Sequence, residues 1–158
     1  MSAAADLLAA FDGNTQRSPL SQDQALSLAD GYAIAGQIAA ARQARGERIV
    51  GRKIGFTNRT IWPIYNVHAP VWGWVWDSAS HDIPESGEIP LPARPELRLE
   101  PEIAFGLART PQPGMTPAQL LDCIDWVAHG IELVTSLYPG WRFTAPDAAA
   151  GMAMAPEY

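Results

Sequence analysis

The segment Leu99-Glu100-Pro101-Glu102-Ile103-Ala104-Phe105 constrains the chain more than any other stretch. In an extended strand, residues i and i+2 project from one surface. Glu100 and Glu102 therefore stand side by side on one face. Pro101 lies between them with no N–H to give to a ladder, so the strand reads as edge-like or bulged. Two carboxylates held that close repel and raise each other's pKa, and a divalent cation with oxygen ligands resolves the conflict. The spacing alone does not establish such a site. With 17 acidic residues among 158 positions, chance gives roughly two such pairs, and a motif needs its context.

Composition narrows that context. A chain of 158 residues suits one domain, with at most a small accessory segment, and 47% hydrophobic content fills a core. The net charge of −6 and the lack of a basic run argue against a nucleic-acid surface. No apolar run is long enough to cross a membrane. The N-terminal stretch carries Asp6 and lacks a basic leader region, so a soluble, cytoplasmic protein is expected. The single cysteine, Cys123, excludes an internal disulfide and a multi-cysteine zinc site, and reads as an ordinary helix residue.

The order of elements follows from local signals. Ser2 to Phe11 is an alanine-rich helix ended by Asp12-Gly13-Asn14. Ser21 to Arg45 is a long helix, with a Ser21/Gln24 capping box, Leu28, Tyr32, Ala35 and Ala39 at helical spacing, and Gly46 where the terminal glycine belongs. Arg48 to Phe56 is a strand, Asn58 to Tyr65 a short helix broken near Pro63, and Val71 to Trp76 a strand with Trp72, Trp74 and Trp76 on one face. That tryptophan stripe is read first as core or subunit contact and second as a surface for stacking substrate. Asp82 to Pro95 is an irregular connection, and Leu97 to Leu107 is the carboxylate strand. Thr116, Pro117 and Gln119 open a helix running to about Ala128. Gly130 to Ser136 is a second buried strand, and 146–158 shows no clear pattern.

Two further residues bear on chemistry. Glu132 sits among Ile131, Leu133 and Val134, and a glutamate in an apolar strand is costly to bury unless it is paired or metal-bound. Lys53 is bracketed by Gly51 and Gly55, which let backbone or ligand approach closely. Either residue alone is commonplace, as a buried salt bridge or a solvated surface lysine.

Together they match a pattern. Gly51-Arg52-Lys53-Ile54-Gly55-Phe56-Thr57-Asn58 resembles the G-x-K-I-G-x-T-[SN] segment of the 2-keto-4-pentenoate hydratase family, within the fumarylacetoacetate hydrolase superfamily. The stretch from Leu99 to Phe105 resembles that family's E-x-E-I-A-F strand. Gly130-Ile131-Glu132-Leu133-Val134, with Ser136, Tyr138, Pro139 and Trp141, resembles its third motif. The motifs occur in family order, and the resemblance runs from about Leu20 to Asp147.

The resemblance implies an α+β fold. It places a helical N-terminal segment at 1–46 and a β-rich catalytic part at 47–158, the latter a mixed β-sheet roll or sandwich of the fumarylacetoacetate hydrolase type. Further strands follow the position of Asp147 in that family, so the β-fold is expected to be incomplete at its C-terminal end. The resemblance also implies that Glu100, Glu102 and Glu132 hold one Mg²⁺ or Mn²⁺, leaving positions for the 2-oxo and carboxylate oxygens of a small 2-oxo or 2-hydroxydienoate acid. Such a cation stabilises enolate charge, and Lys53 adds positive charge or moves a proton. The implied reaction is hydration of a 2-hydroxypenta-2,4-dienoate-like acid to a 4-hydroxy-2-oxo acid in aromatic degradation. A 4-oxalocrotonate decarboxylase, an acylpyruvate hydrolase and an inactive partner subunit are the alternatives. Asp77 is the one carboxylate left after the tryptophan strand, where the family often has two. It is a candidate proton-transfer residue, or else a strand-end turn residue. Thr57 and His129 are candidate substrate contacts, with helix capping the other reading for His129. Self-association is expected from open sheet edges, and the resemblance implies a related decarboxylase as a further candidate partner.

Overall fold

The computed structural model describes residues 2–151, and it is α+β. Helix α1 (Ala3–Asp12) begins at Ser2, whose hydroxyl caps the amide of Ala5. It buries Leu7 and Phe11 against Ile34 and Ile38 of helix α2 (Leu28–Ala44). On α2, Gly31, Ile34, Ala35, Ile38, Ala39 and Arg42 form the buried stripe, at the spacing one helical face demands.

The expected start of α2 at Ser21 is corrected. The helix begins seven residues later, because Ser27 and Asp30 form the capping box. Ser21 is engaged elsewhere: its amide and hydroxyl both donate to Asp147, at 3.0 and 2.6 Å. Gly46 does follow the helix end with φ of 96°, the left-handed conformation that glycine adopts without strain.

Strand β1 (Ile49–Gly55) pairs antiparallel with β2 (Val71–Trp76), Lys53 lying opposite Gly73. Between them, a 3-10 turn at Arg59–Ile61 runs into helix α3 (Trp62–Tyr65). Pro63 lies in the first turn of α3, where its missing N–H leaves no bond unmade, so it opens this short helix rather than breaking it. The tryptophan stripe packs on α2. Trp72 stacks on Tyr32 with ring centroids 5.1 Å apart, and the fully buried Trp76 lies against the Arg42 guanidinium.

Strand β3 (Arg98–Leu107) pairs antiparallel with β4 (Ile124–Val134), and helix α4 (Pro117–Leu121) lies in the connection. The Thr116/Gln119 capping box forms as expected. The expected run of α4 to Ala128 is corrected. The helix stops after one turn, and Trp126, Val127 and Ala128 pair with Gly106, Phe105 and Ala104. Aromatic and β-branched residues fit a pleated ladder better than a helix surface. Cys123 therefore lies in the buried turn between helix and strand, not inside a helix. Among the described residues, the strands form two separate antiparallel pairs, not one mixed sheet.

Helix α5 (Ala145–Gly151) closes the described chain; the remaining 152–158 of the pattern-free tail lie outside the described residues. The start of α5 meets α2 so closely that a Cβ on Gly31 would stand 2.4 Å from the Pro146 carbonyl oxygen. Fully buried Asp147 ties the start of α5 to the turn before α2, accepting hydrogen bonds from Ser21 and from the amide and hydroxyl of Thr144. Burial opposes ionisation of Asp147, but these four donors outweigh it and hold its carboxyl below the usual aspartate range. Such a group contributes stability above its unfolded pKa, lost as pH falls through the lower folded value. Asp147→Ala is expected to cost about 3 kcal/mol or more at pH 7, because it strands buried donors. The difference from wild type shrinks below about pH 4. Chemical denaturation of both proteins across pH 3–7 checks both outcomes.

Candidate metal centre

The register of β3 and β4 builds the site. Glu100 lies directly opposite Glu132, and Glu102 directly opposite Gly130. Like charges facing across a ladder are destabilising, so the pairing is one the chain tolerates at a cost. Because Gly130 has no side chain, nothing crowds Glu102 from across the pair. One carboxylate oxygen from each of Glu100, Glu102 and Glu132 lies within 4.8 Å of the others. Oxygens at about 2.1–2.5 Å from one ion lie within about 5 Å of one another, so this donor set fits a single hard divalent cation.

Glu132 is buried, whereas Glu100 is exposed. Lys53 reaches across from β1 and donates to Glu132 Oε1. One ammonium faces three carboxylates, so the cluster keeps an excess of negative charge. The consequence appears in two of its members. Desolvation first, and the charge of Glu132 second, push the Glu100 and Glu102 carboxyls above the usual glutamate range. Lys53 opposes the rise for both, and Arg98 opposes it for Glu100.

The remaining sequence candidates lie at varied distances from this centre. Asp77 follows Trp76, which pairs with Ile49, whereas Lys53 pairs with Gly73; four residues of strand put about 13 Å between the two positions. Both Asp77 oxygens are taken by Arg48, through its amide and its Nε, each at 2.8 Å. Thr57 is exposed on the loop after β1. His129 is an exposed strand residue opposite Ile103, one position from Gly130, so the alternation of β4 turns it to the face away from Glu132. The structure therefore brings Lys53 and the three glutamates together, and does not bring Asp77 or His129 to them.

The third motif carries the chain on beyond β4. The Ser136 hydroxyl donates to the Tyr138 carbonyl and accepts from the Tyr138 amide, which turns the chain out of β4. Trp141, Phe143, Tyr65 and Phe56 then form a chain of ring contacts; the Tyr65 and Phe143 centroids are 4.9 Å apart. The Arg98 guanidinium lies 4.0 Å over the Trp141 ring. Sequence reading passed over Arg98, although its place two residues before Glu100 puts it on the same strand face.

Fold and site together define an α+β protein with a divalent-cation type of carboxylate cluster on one antiparallel strand pair. The structure is similar to that of 4-oxalocrotonate decarboxylase from Pseudomonas putida G7, solved with magnesium and adipate. The TM-score is 0.83 at 24% identity, covering 98% of this chain and 59% of that one. The same enzyme solved with calcium and acetate gives a TM-score of 0.80 at 23% identity, over 98% of this chain and 58% of that one. In sequence, the chain is 32% identical to 2-hydroxyhexa-2,4-dienoate hydratase of Comamonas testosteroni, over 79% of this chain and 48% of that protein. It is 33% identical to 2-hydroxypent-2,4-dienoate hydratase of Pseudomonas putida, over 79% of this chain and 56% of that protein. It is 32% identical to 2-keto-4-pentenoate hydratase of Paraburkholderia xenovorans, over 84% and 49%. No family model matches the chain. The chain spans about half the length of the curated relatives it matches. Over that half it is a homologue of the 2-keto-4-pentenoate hydratase family.

Because the carboxyl of Glu100 is harder to ionise in the folded chain than in the unfolded one, its charge destabilises the metal-free protein increasingly as pH rises. Glu100→Gln is therefore expected to raise the metal-free melting temperature at pH 7. The gain vanishes as pH falls below the ordinary glutamate range, where both side chains are neutral. The same variant loses the Mn²⁺-induced rise in melting temperature that wild type shows. Thermal scans at pH 3.5 and 7, the latter with and without Mn²⁺, check both outcomes.

Proposed function

We propose that the chain carries the metal-binding part of a lyase that adds water to 2-hydroxypenta-2,4-dienoate-like acids, giving 4-hydroxy-2-oxo acids. The convergence of Glu100, Glu102 and Glu132 around one point, with Lys53 on Glu132, carries this reading. Relatives named as dienoate hydratases support the reaction class. Structural neighbours solved with magnesium and calcium support a divalent cation, which we assign as Mg²⁺ or Mn²⁺. The three glutamates would hold the ion; when bound, it supplies Lewis-acid polarisation of a 2-oxo group.

Each residue of the chain has a task in this reading. Glu132 positions the Lys53 ammonium through their ion pair. Lys53 Nζ is the group placed to hold or move a proton beside the substrate carbon skeleton. The aromatic cluster of Phe56, Tyr65 and Phe143 is assigned the task of shielding one side of the substrate skeleton. Asp77, held by Arg48, fixes the end of the β1–β2 pair. Residues 1–46 act as the helical support, and the two strand pairs form part of a fumarylacetoacetate hydrolase type of roll.

A 4-oxalocrotonate decarboxylase is the second reading. It is favoured by the structural neighbours and by a relative of that name from a Pseudomonas species at 32% identity over 83% of this chain. It uses the same residues and needs no activation of water.

With 2-hydroxypenta-2,4-dienoate, the purified chain is expected to bleach the dienol absorbance only in the presence of Mg²⁺ or Mn²⁺. Lys53→Met is expected to lower the rate about a hundredfold or more, the usual worth of a positioned proton-transfer group, while Mn²⁺ still binds. No metal-dependent bleaching by wild type would sink the hydratase reading. Bound Mn²⁺ without turnover of this substrate or of 4-oxalocrotonate would instead mark an inactive metal-binding partner.

A further inference from the structure

The outer face of the β3–β4 pair, turned away from the glutamates, is apolar and open. Leu99, Ile103, Phe105 and Leu107 alternate along it on β3, and Val127 joins them from its place opposite Phe105. Each of the five is more than half exposed. The packed apolar clusters of the described residues take no side chain from either strand. A two-stranded antiparallel pair is marginal in water unless something packs on its apolar side. Among the described residues, nothing does so over Ile103, Phe105 and Leu107.

We infer that a second copy of the chain covers this face: two β3–β4 pairs stack by their outer faces about a two-fold axis. Area agrees. Five large apolar side chains with on the order of 100 Å² open on each leave roughly 500 Å², near the upper end of what a lone soluble chain exposes in one patch. With backbone and rim atoms added, that approaches the roughly 800 Å² each partner gives to a specific dimer. Charge agrees as well. The chain carries a net charge of −6, so two copies repel on approach. From Leu99 to Phe105, the odd positions of β3 and the residues opposite them on β4 include no Asp, Glu, Lys or Arg. This face therefore lacks the charge that would oppose self-contact, and the charge pattern that would select a different partner. Stacked sheets lie about 10 Å apart, so each side chain meets its counterparts without a gap. The three-glutamate cluster of each copy points away from the contact and stays open.

Sedimentation of the full chain from ~1 to ~100 μM, a range reaching the weak end of affinities that such areas give, supplies the test. Wild type is expected to reach twice the 17.1 kDa chain mass, with a melting temperature that rises with concentration. Phe105→Glu is expected to raise the dimer dissociation constant a hundredfold or more, because stacking would bury an unpaired carboxylate. Ile103→Ser, a milder change at a position 62% exposed in the single chain, is expected to raise it about tenfold and keeps the test decisive should Phe105→Glu not fold. Trp126→Gln, on the opposite face beside Gly106, is expected to leave the dimer intact. A wild type still monomeric at the highest concentration, whether alone or joined only to a different polypeptide, overturns the inference. So does a dimer that survives both outer-face variants, as pairing through strand edges would, or one that Trp126→Gln alone dissociates. None of these results touches the metal-site reading.

Discussion

The ion pair between Lys53 and Glu132 joins the two strand pairs, across 79 residues of sequence. A glutamate as buried as Glu132 needs a partner, because an isolated carboxylate in a dry interior costs several kcal/mol even after relaxation. Lys53 supplies that partner from the middle of β1, so β1–β2 and β3–β4 are tied at the chemical centre. The tie neutralises one of three carboxylates. The surplus charge on Glu100 and Glu102 is the physical ground for the divalent cation proposed above.

Around that centre the packing divides the labour. The helices α1, α2 and α5 and the tryptophans of β2 form the stable base, with Asp147 fastening α5 to the turn before α2. The β3–β4 pair carries the three-glutamate cluster on one face. Its other face holds Ile103, Phe105 and Val127, each more than half exposed. Strand alternation explains the two faces of β3: its odd positions are apolar, and its even positions include Arg98, Glu100 and Glu102.

Much of this was legible from residue order because alternation is a local property. Glu100 and Glu102 two apart, and Glu132 within an apolar strand, place three carboxylates on strands with no reference to tertiary contacts. The register that sets Glu100 opposite Glu132 is not local, and only the structure supplies it. The helix boundaries failed for a related reason. Ser21/Gln24 and Ser27/Asp30 are both plausible caps in sequence, and the choice is made by Asp147, 126 residues from Ser21. The extent of α4 was overread because helical propensity does not register that Trp126 and Val127 have partners waiting on β3. Asp77 is the carboxylate that the resemblance places after the tryptophan strand, and His129 is the histidine just before Gly130-Ile131-Glu132. Arg48 and the strand alternation, respectively, keep them from the cluster.

The central claim is that Glu100, Glu102 and Glu132 form one divalent-cation site. Titration of Mn²⁺ into the metal-free full chain, followed by electron paramagnetic resonance of the free ion, tests it most directly. The account predicts one bound Mn²⁺ per chain, displaced by Mg²⁺ and lost in Glu102→Ala. No bound Mn²⁺ in wild type, or full stoichiometry retained in Glu102→Ala, would contradict it.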